Sequence, residues 1–176
     1  MNMFCYQCEQ TAQGSGCTAH GVCGKDPETA ALQDLLMEAS KDIARYAHRA
    51  RQEGGLTDPD IDRFICDVLF ATITNVNFDP DRFVRQIHQA VKLRERLREK
   101  VTAAGGSLDF DHPAATFTPA GSLEELSQQS EAAAQADRDE NPDIQSLKDI
   151  LLFGIKGVAA YADHARILGR EDDSIY

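Results

Sequence analysis

Long hydrophobic stretches are missing from this sequence: its longest apolar runs, such as Ile150 to Ile155, fall far short of the roughly 20 residues needed to span a bilayer. A secretory leader is missing too. Met1 to Gln10 carries two cysteines and a glutamate where a basic region and then an apolar one should stand, so a cytoplasmic location is the expectation. Positive charge is scarce, with 18 basic against 29 acidic side chains and a formal net charge of -11. Such a surface repels phosphate backbones and anionic headgroups, which sets nucleic acid and membranes aside as partners. The sequence also lacks a second C-x2-C pair, the commoner zinc-ribbon arrangement.

What is present is enough chain for one sizeable core or two small ones, 176 residues, and five cysteines. Four of the five fall within nineteen positions, as Cys5, Cys8, Cys17 and Cys23. In a reducing compartment, clustered thiols are more often metal ligands or redox groups than structural disulfides.

The chain divides into a loop and a series of helices. Residues 1–25 show neither a helical nor an alternating period, and Gly14, Gly16, Gly21 and Gly24 mark a tightly turning loop that apolar packing alone cannot order. Asp26-Pro27-Glu28 then reads as a helix start. Leu32, Leu35, Leu36, Ala39, Ile43, Tyr46, Ala47 and Ala50 form one apolar face before Gly54-Gly55 ends the helix. Asp58-Pro59 opens a second helix through Ile61, Phe64, Val68 and Leu69 to a break near Asn75 and Asn77. Asp79-Pro80 opens a third, with Phe83, Ile87 and Leu97 inward and Gly105-Gly106 at its close.

An all-α fold is therefore expected: a cysteine-rich loop over residues 1–25, a three-helix bundle over 26–106, a connector over 107–121, and the start of a second, incomplete three-helix bundle over 122–176. In that last block a polar helix around Leu123 to Ala136 precedes a long apolar one from Asn141-Pro142-Asp143 to Gly169. The long helix repeats the first: LQDLLMEASKDIARYAHRARQEG over 32–54 matches LKDILLFGIKGVAAYADHARILG over 147–169 at constant offset. In the first copy another helix follows. In the second the sequence stops where that helix should begin, so a piece of something longer is expected, with Leu151, Ile155, Val158 and Tyr161 either covering the first bundle or self-associating.

The cysteine spacing is C-x2-C-x8-C-x5-C. The pair brings two thiolates to one centre, and a glycine-rich return supplies two more. Spacing leaves open a tetrahedral zinc or an iron–sulfur cluster, since thiolate softness suits both. Small and polar spacer residues (Gln7, Gln10, Thr11, Ser15, Thr18) favour a cluster, because backbone N–H groups between them are free to point at sulfide.

MFCYQCEQTAQGSGCTAHGVCGK over 3–25 closely resembles the N-terminal signature of the hybrid cluster proteins, also called prismane proteins or hydroxylamine reductases. The resemblance continues in LQDLL at 32–36, LFATITNVNFD at 69–79 and GIKGVAAYADHA at 154–165. It implies a considerably longer protein whose N-terminal helical domain carries a [4Fe-4S] cluster on Cys5, Cys8, Cys17 and Cys23. It also implies a hybrid iron–sulfur–oxygen cluster, the centre for reduction of hydroxylamine to ammonia and for proposed nitric oxide chemistry, ligated by residues beyond this sequence. The expectation is thus an electron-transfer module, not catalytic alone, served by a redox donor protein and completed by the missing C-terminal domains. The alternatives are a helical interaction domain with a structural four-cysteine zinc site, or a redox-sensing fragment.

Other residues carry plainer expectations. Cys66 reads as a buried core thiol, and His20 as a neighbour of the cluster or a solvent residue. His48, His88, His112 and His164 show no mutual ligand spacing, and no residue is assigned to catalysis. Phe4 and Tyr6 flank the first pair and either shield it or pack on a helix. Arg94, Arg96, Arg98 and Lys100, interleaved with Glu95 and Glu99, read as a solvated helix face, as do Glu124, Glu125, Glu131, Asp137, Asp139 and Glu140.

Overall fold

The computed structural model describes residues 3–9, 12–108, 117–136, 138 and 141–176, without the side chains of 131 and 134–136. Among them all regular structure is helical, as the periodicity predicts: α1 (Pro27–Gly54), α2 (Pro59–Ala71), α3 (Pro80–Ala103), α4 (Leu123–Ala136) and α5 (Pro142–Ile167), with short 3-10 turns besides. His112, Asp137, Asp139, Glu140, the Glu131 side chain and residues 109–116 of the expected connector lie outside the described residues.

Four of the five helices begin with the same local chemistry. Asp26, Asp58, Asp79 and Asn141 cap α1, α2, α3 and α5, accepting the N–H of Thr29, Asp60, Asp81 and Asp143 at 2.7, 3.2, 3.0 and 2.9 Å. In each a proline follows, where its missing N–H is not needed. The polar α4 starts differently, with the Ser122 hydroxyl accepting the Glu125 N–H at 3.3 Å and donating to the Glu125 carboxylate at 2.8 Å. At the far end of α1, Gly55 takes a left-handed φ of 61° and the Leu56 N–H reaches back to the Ala50 carbonyl at 3.2 Å, closing the last turn. Gly169 and Arg170 end α5 in the same way.

α1 is the centre of the fold. It packs against α2, α3 and α4, and α2 in turn carries α5. The main core joins Leu32, Leu36, Ile43 and Tyr46 of α1 with Ile61, Phe64 and Val68 of α2 and Phe83, Ile87 and Leu97 of α3. Each such side chain, fully buried, contributes about 1.5–3 kcal/mol before chain entropy is counted. Leu126 of α4 seals the open side of α1. The last two helices are thus laid on the first three.

One face departs from the sequence expectation. Arg94 is 5% exposed rather than solvated. It sits between α1 and α3, where its guanidinium donates to Asp42 at 2.6 Å and to the Phe117 carbonyl at 2.9 Å. A carboxylate one helix away, invisible to i,i+4 counting, draws it inward. Arg96 and Lys100 lean instead on the buried carboxylate of Asp58, at 2.9 and 2.7 Å, while Arg98 pairs at the surface with Glu95.

α5 meets α2 through a narrow strip. Met37, Leu69 and Ala159 form a small core there with Ile65, Cys66 and Leu152 at its edge. The Arg63 guanidinium donates to both oxygens of Glu171 at 2.8 and 2.9 Å, an exposed tie worth about 0–1 kcal/mol. The broad apolar side of α5, with Leu147, Leu151, Val158 and Tyr161, faces solvent in this chain.

Candidate metal centre

The cysteine loop lies against the first turns of α1. The Cys5 N–H donates to the Cys17 carbonyl at 3.1 Å, joining the first ligand pair to the third cysteine. Met3, Cys17 and Ala30 bury one another beneath it, with Cys5 and Ala12 at the edge. Gly21 shows why glycine is needed in the last spacer: a Cβ there would stand 3.1 Å from the Cys23 sulfur and 3.0 Å from the Lys25 Cβ. Gly16 and Gly24, at φ of 123° and 96°, turn the chain where other residues would be strained. Cys17 is buried and Cys5, Cys8 and Cys23 are half-buried, all as free thiols.

Under the loop is a polar layer that sequence reading did not find. Gln7, between the first two cysteines, donates through its amide to Asp34 of α1 and accepts from the Lys156 ammonium of α5 at 2.6 Å. Lys25, just past Cys23, donates to Gln33, whose own amide reaches the Asn77 carbonyl at 3.4 Å. Lys25 and Lys156 are 1% and 2% exposed. Each ammonium has three N–H donors, and its described hydrogen bonds use one.

The electrostatics follow from burial. Desolvation pushes Asp34 up to about 7, against the Gln7 hydrogen bond and the two ammonium groups, which favour its charged form. Desolvation, helped by Lys25, pulls Lys156 down to about 7, against the attraction of Asp34, Cys5 and Cys8. Burial also raises the Cys5 thiol. The Gln7 backbone N–H and the Lys25 charge act the other way. The layer thus holds two ammonium groups and two buried carboxylates, of which Glu38 is already paired with Lys41 and Asp34 has no described cation within an ion-pair distance.

Among the described residues no three His, Cys, Asp or Glu side chains stand together as a group able to hold one metal ion. The structure joins Cys5 to Cys17. The donor set still fits a cluster on two grounds: in a cubane each sulfur takes its own iron, so the four sulfurs need not meet at a point, and a four-thiolate group brings the negative charge that the buried cationic layer lacks. Cys5, Cys8, Cys17 and Cys23 would hold it, and what it supplies when bound is reversible uptake of an electron. Four thiolates on zinc would satisfy the same charge.

The remaining candidates are dispersed. Phe4 and Tyr6 stack at 4.6 Å beside the first pair, and the Arg138 guanidinium lies 4.6 Å over the Tyr6 ring. Cys66 is half-buried at the α2–α5 seam, where desolvation raises its thiol. His20 and His48 are exposed, His88 is half-buried, and His164 meets Phe70 edge-on at 5.2 Å. Glu124 and Glu125 are exposed as expected. No helix among the described residues is long and apolar enough to cross a membrane.

An all-helical body with four thiols in one loop over two buried lysines would suit a thiolate-ligated metal or cluster protein. The comparison with known proteins narrows it: the Prismane/CO dehydrogenase family model matches residues 3–176, and the chain belongs to that family. Similar relatives are the hydroxylamine reductases of Syntrophobacter fumaroxidans, 55% identical over 175 residues, and Methanocella arvoryzae, 51% identical over 178. That of Maridesulfovibrio salexigens is 48% identical over 174 residues. Each alignment takes in 99% of this chain but only 31–32% of the relative, so the chain spans about a third of their length.

Proposed function

We propose that Cys5, Cys8, Cys17 and Cys23 hold a [4Fe-4S] cluster and that this region passes electrons, in the cytoplasm, within a longer hydroxylamine-reductase-like protein. The observation that carries the reading is the four-cysteine loop laid over Lys25 and Lys156, two buried ammonium groups whose described hydrogen bonds go to the neutral amides of Gln33 and Gln7. An anionic cluster is stabilised by that charge. Its loop is half-buried, which limits water without sealing electrons in.

In this reading a redox donor protein delivers electrons to the loop, and the C-terminal domains of the longer protein receive them. There hydroxylamine takes up two electrons and two protons to give ammonia and water. The exposed apolar side of α5 is then covered by later helices of the same protein, and in the isolated chain it drives self-association.

Anaerobic purification with iron, sulfide and zinc analysis, followed by visible and EPR spectra before and after dithionite, tests the centre directly. About four iron and four sulfide per chain, with a reducible cubane signal, is the expected result. One zinc without sulfide, and no visible absorption, would replace the relay with a structural zinc site in a helical interaction domain.

A further inference from the structure

A lysine buried in a helix interface is costly unless counter-charge or hydrogen bonds meet it. On α5 itself nothing does. The residues one turn away from Lys156 are Leu152, Phe153, Ala159 and Ala160, none of them acidic. Its described hydrogen-bond partner is Gln7, 149 positions earlier and directly before Cys8. Gln7 is held in turn by Asp34 of α1, so one amide joins α1, α5 and the cysteine turn.

We infer that Lys156 is a positioning residue for the centre: its ammonium, carried in on α5 and accepted by Gln7, seats the Cys5–Cys8 turn and holds positive charge against the thiolate cluster. This rests on the cluster reading above. Reduction adds negative charge to the cluster, so an ammonium beside it favours the reduced form, and the cluster's own charge in turn favours the ammonium. Docking of α5 therefore sets the relay's potential as well as its shape. Lys41, at the equivalent place in the first copy of the repeat, pairs with Glu38 on its own helix and has no such role.

The test uses the whole chain, reconstituted anaerobically, with Lys156→Met, Lys156→Arg and Gln7→Leu beside the parent. The readouts are the midpoint potential from an EPR-monitored titration and the rate of iron release to a chelator. Lys156→Met is expected to shift the reduction equilibrium toward the oxidised form by about tenfold, ~59 mV for one electron, and to release iron several-fold faster. Lys156→Arg keeps the charge and stays near the parent potential. Should Lys156→Met fail to fold by circular dichroism, Gln7→Leu still carries the test, because it leaves the ammonium without its acceptor and is expected to speed iron release. Full cluster content with parent potential and parent release in these variants overturns the role of Lys156 alone. So does Lys156→Arg shifting the potential as far as Lys156→Met. A parent chain that takes up no iron and sulfide overturns the cluster reading and this inference together.

Discussion

The two copies of the repeat, α1 and α5, put matching residues in opposite surroundings. Leu32, Leu36 and Tyr46 are 0%, 0% and 3% exposed, whereas Leu147, Leu151 and Tyr161 are 68%, 64% and 79% exposed. The polar positions invert as well: Lys41 is near the surface and Lys156 is buried. An amphipathic pattern fixes which residues share a face, but the neighbours decide which face is used. α1 has partners on three sides and buries its leucines. α5 touches this fold through Lys156, Ala159 and Asp163, with Leu152 at the edge, and presents Leu147 and Leu151 outward.

Truncating equivalent leucines gives the sharpest contrast. Leu36→Ala should lower unfolding free energy by about 2–5 kcal/mol, and Leu151→Ala by under ~0.5 kcal/mol, read from urea midpoints of the monomeric chain. Equal losses would mean that the face of α5 is buried in solution, by a second copy or by rearrangement.

The pH profile of the metal-free chain separates the two helices by sign. Asp34 of α1 rises from 3.8 to about 7 on folding, so the native state binds the extra proton and stability falls as pH climbs through that window. Lys156 of α5 drops from 10.5 to about 7, so the unfolded state binds the extra proton and stability recovers as pH climbs from 7 toward 10.5. Each limb has a slope of at most about 1.4 kcal/mol per pH unit, with the weakest point near neutrality. Lys25, Glu38, Cys5 and Cys8 face the same layer and shape the minimum. Asp34→Asn should flatten the acid limb and Lys156→Met the alkaline one. If either variant flattens both, or neither, the two charges do not act as assigned.

The smallest effect comes from the glycines. At Gly154 and Gly157 a Cβ would meet nothing within 4 Å, and both lie inside α5, where the first copy has Ala39 and Asp42. Alanine at each should raise thermal stability, by about 0.5–1 kcal/mol per site. A loss at either would show a packing demand on α5 that α1 does not share.

Much of this is legible in the sequence. Asp-Pro and Asn-Pro pairs mark four helix starts because capping is local, and the cysteine spacing marks the candidate centre because its ligands lie close in sequence. The repeat is legible as a pattern, although its opposite burial is not. Arg94 reads as solvated because its partner Asp42 is on another helix. Lys156 escapes for the same reason, yet it leaves a trace: a lysine in the apolar run ILLFGIKGVAAY with no acid one turn away has no local answer to its charge. The Ser122 cap, three residues before Glu125, is a plain local signal that periodicity alone misses.

The contact between Gln7 and Lys156 also has a bearing on synthesis. Chains grow at about 5–20 residues per second, so the cysteine turn leaves the ribosome on the order of ten seconds before the lysine that will sit beneath it has been added. For that interval the thiols are in the open with nothing of α5 below them, within reach of iron donors and oxidants alike. The loop is made well before the contact that completes it.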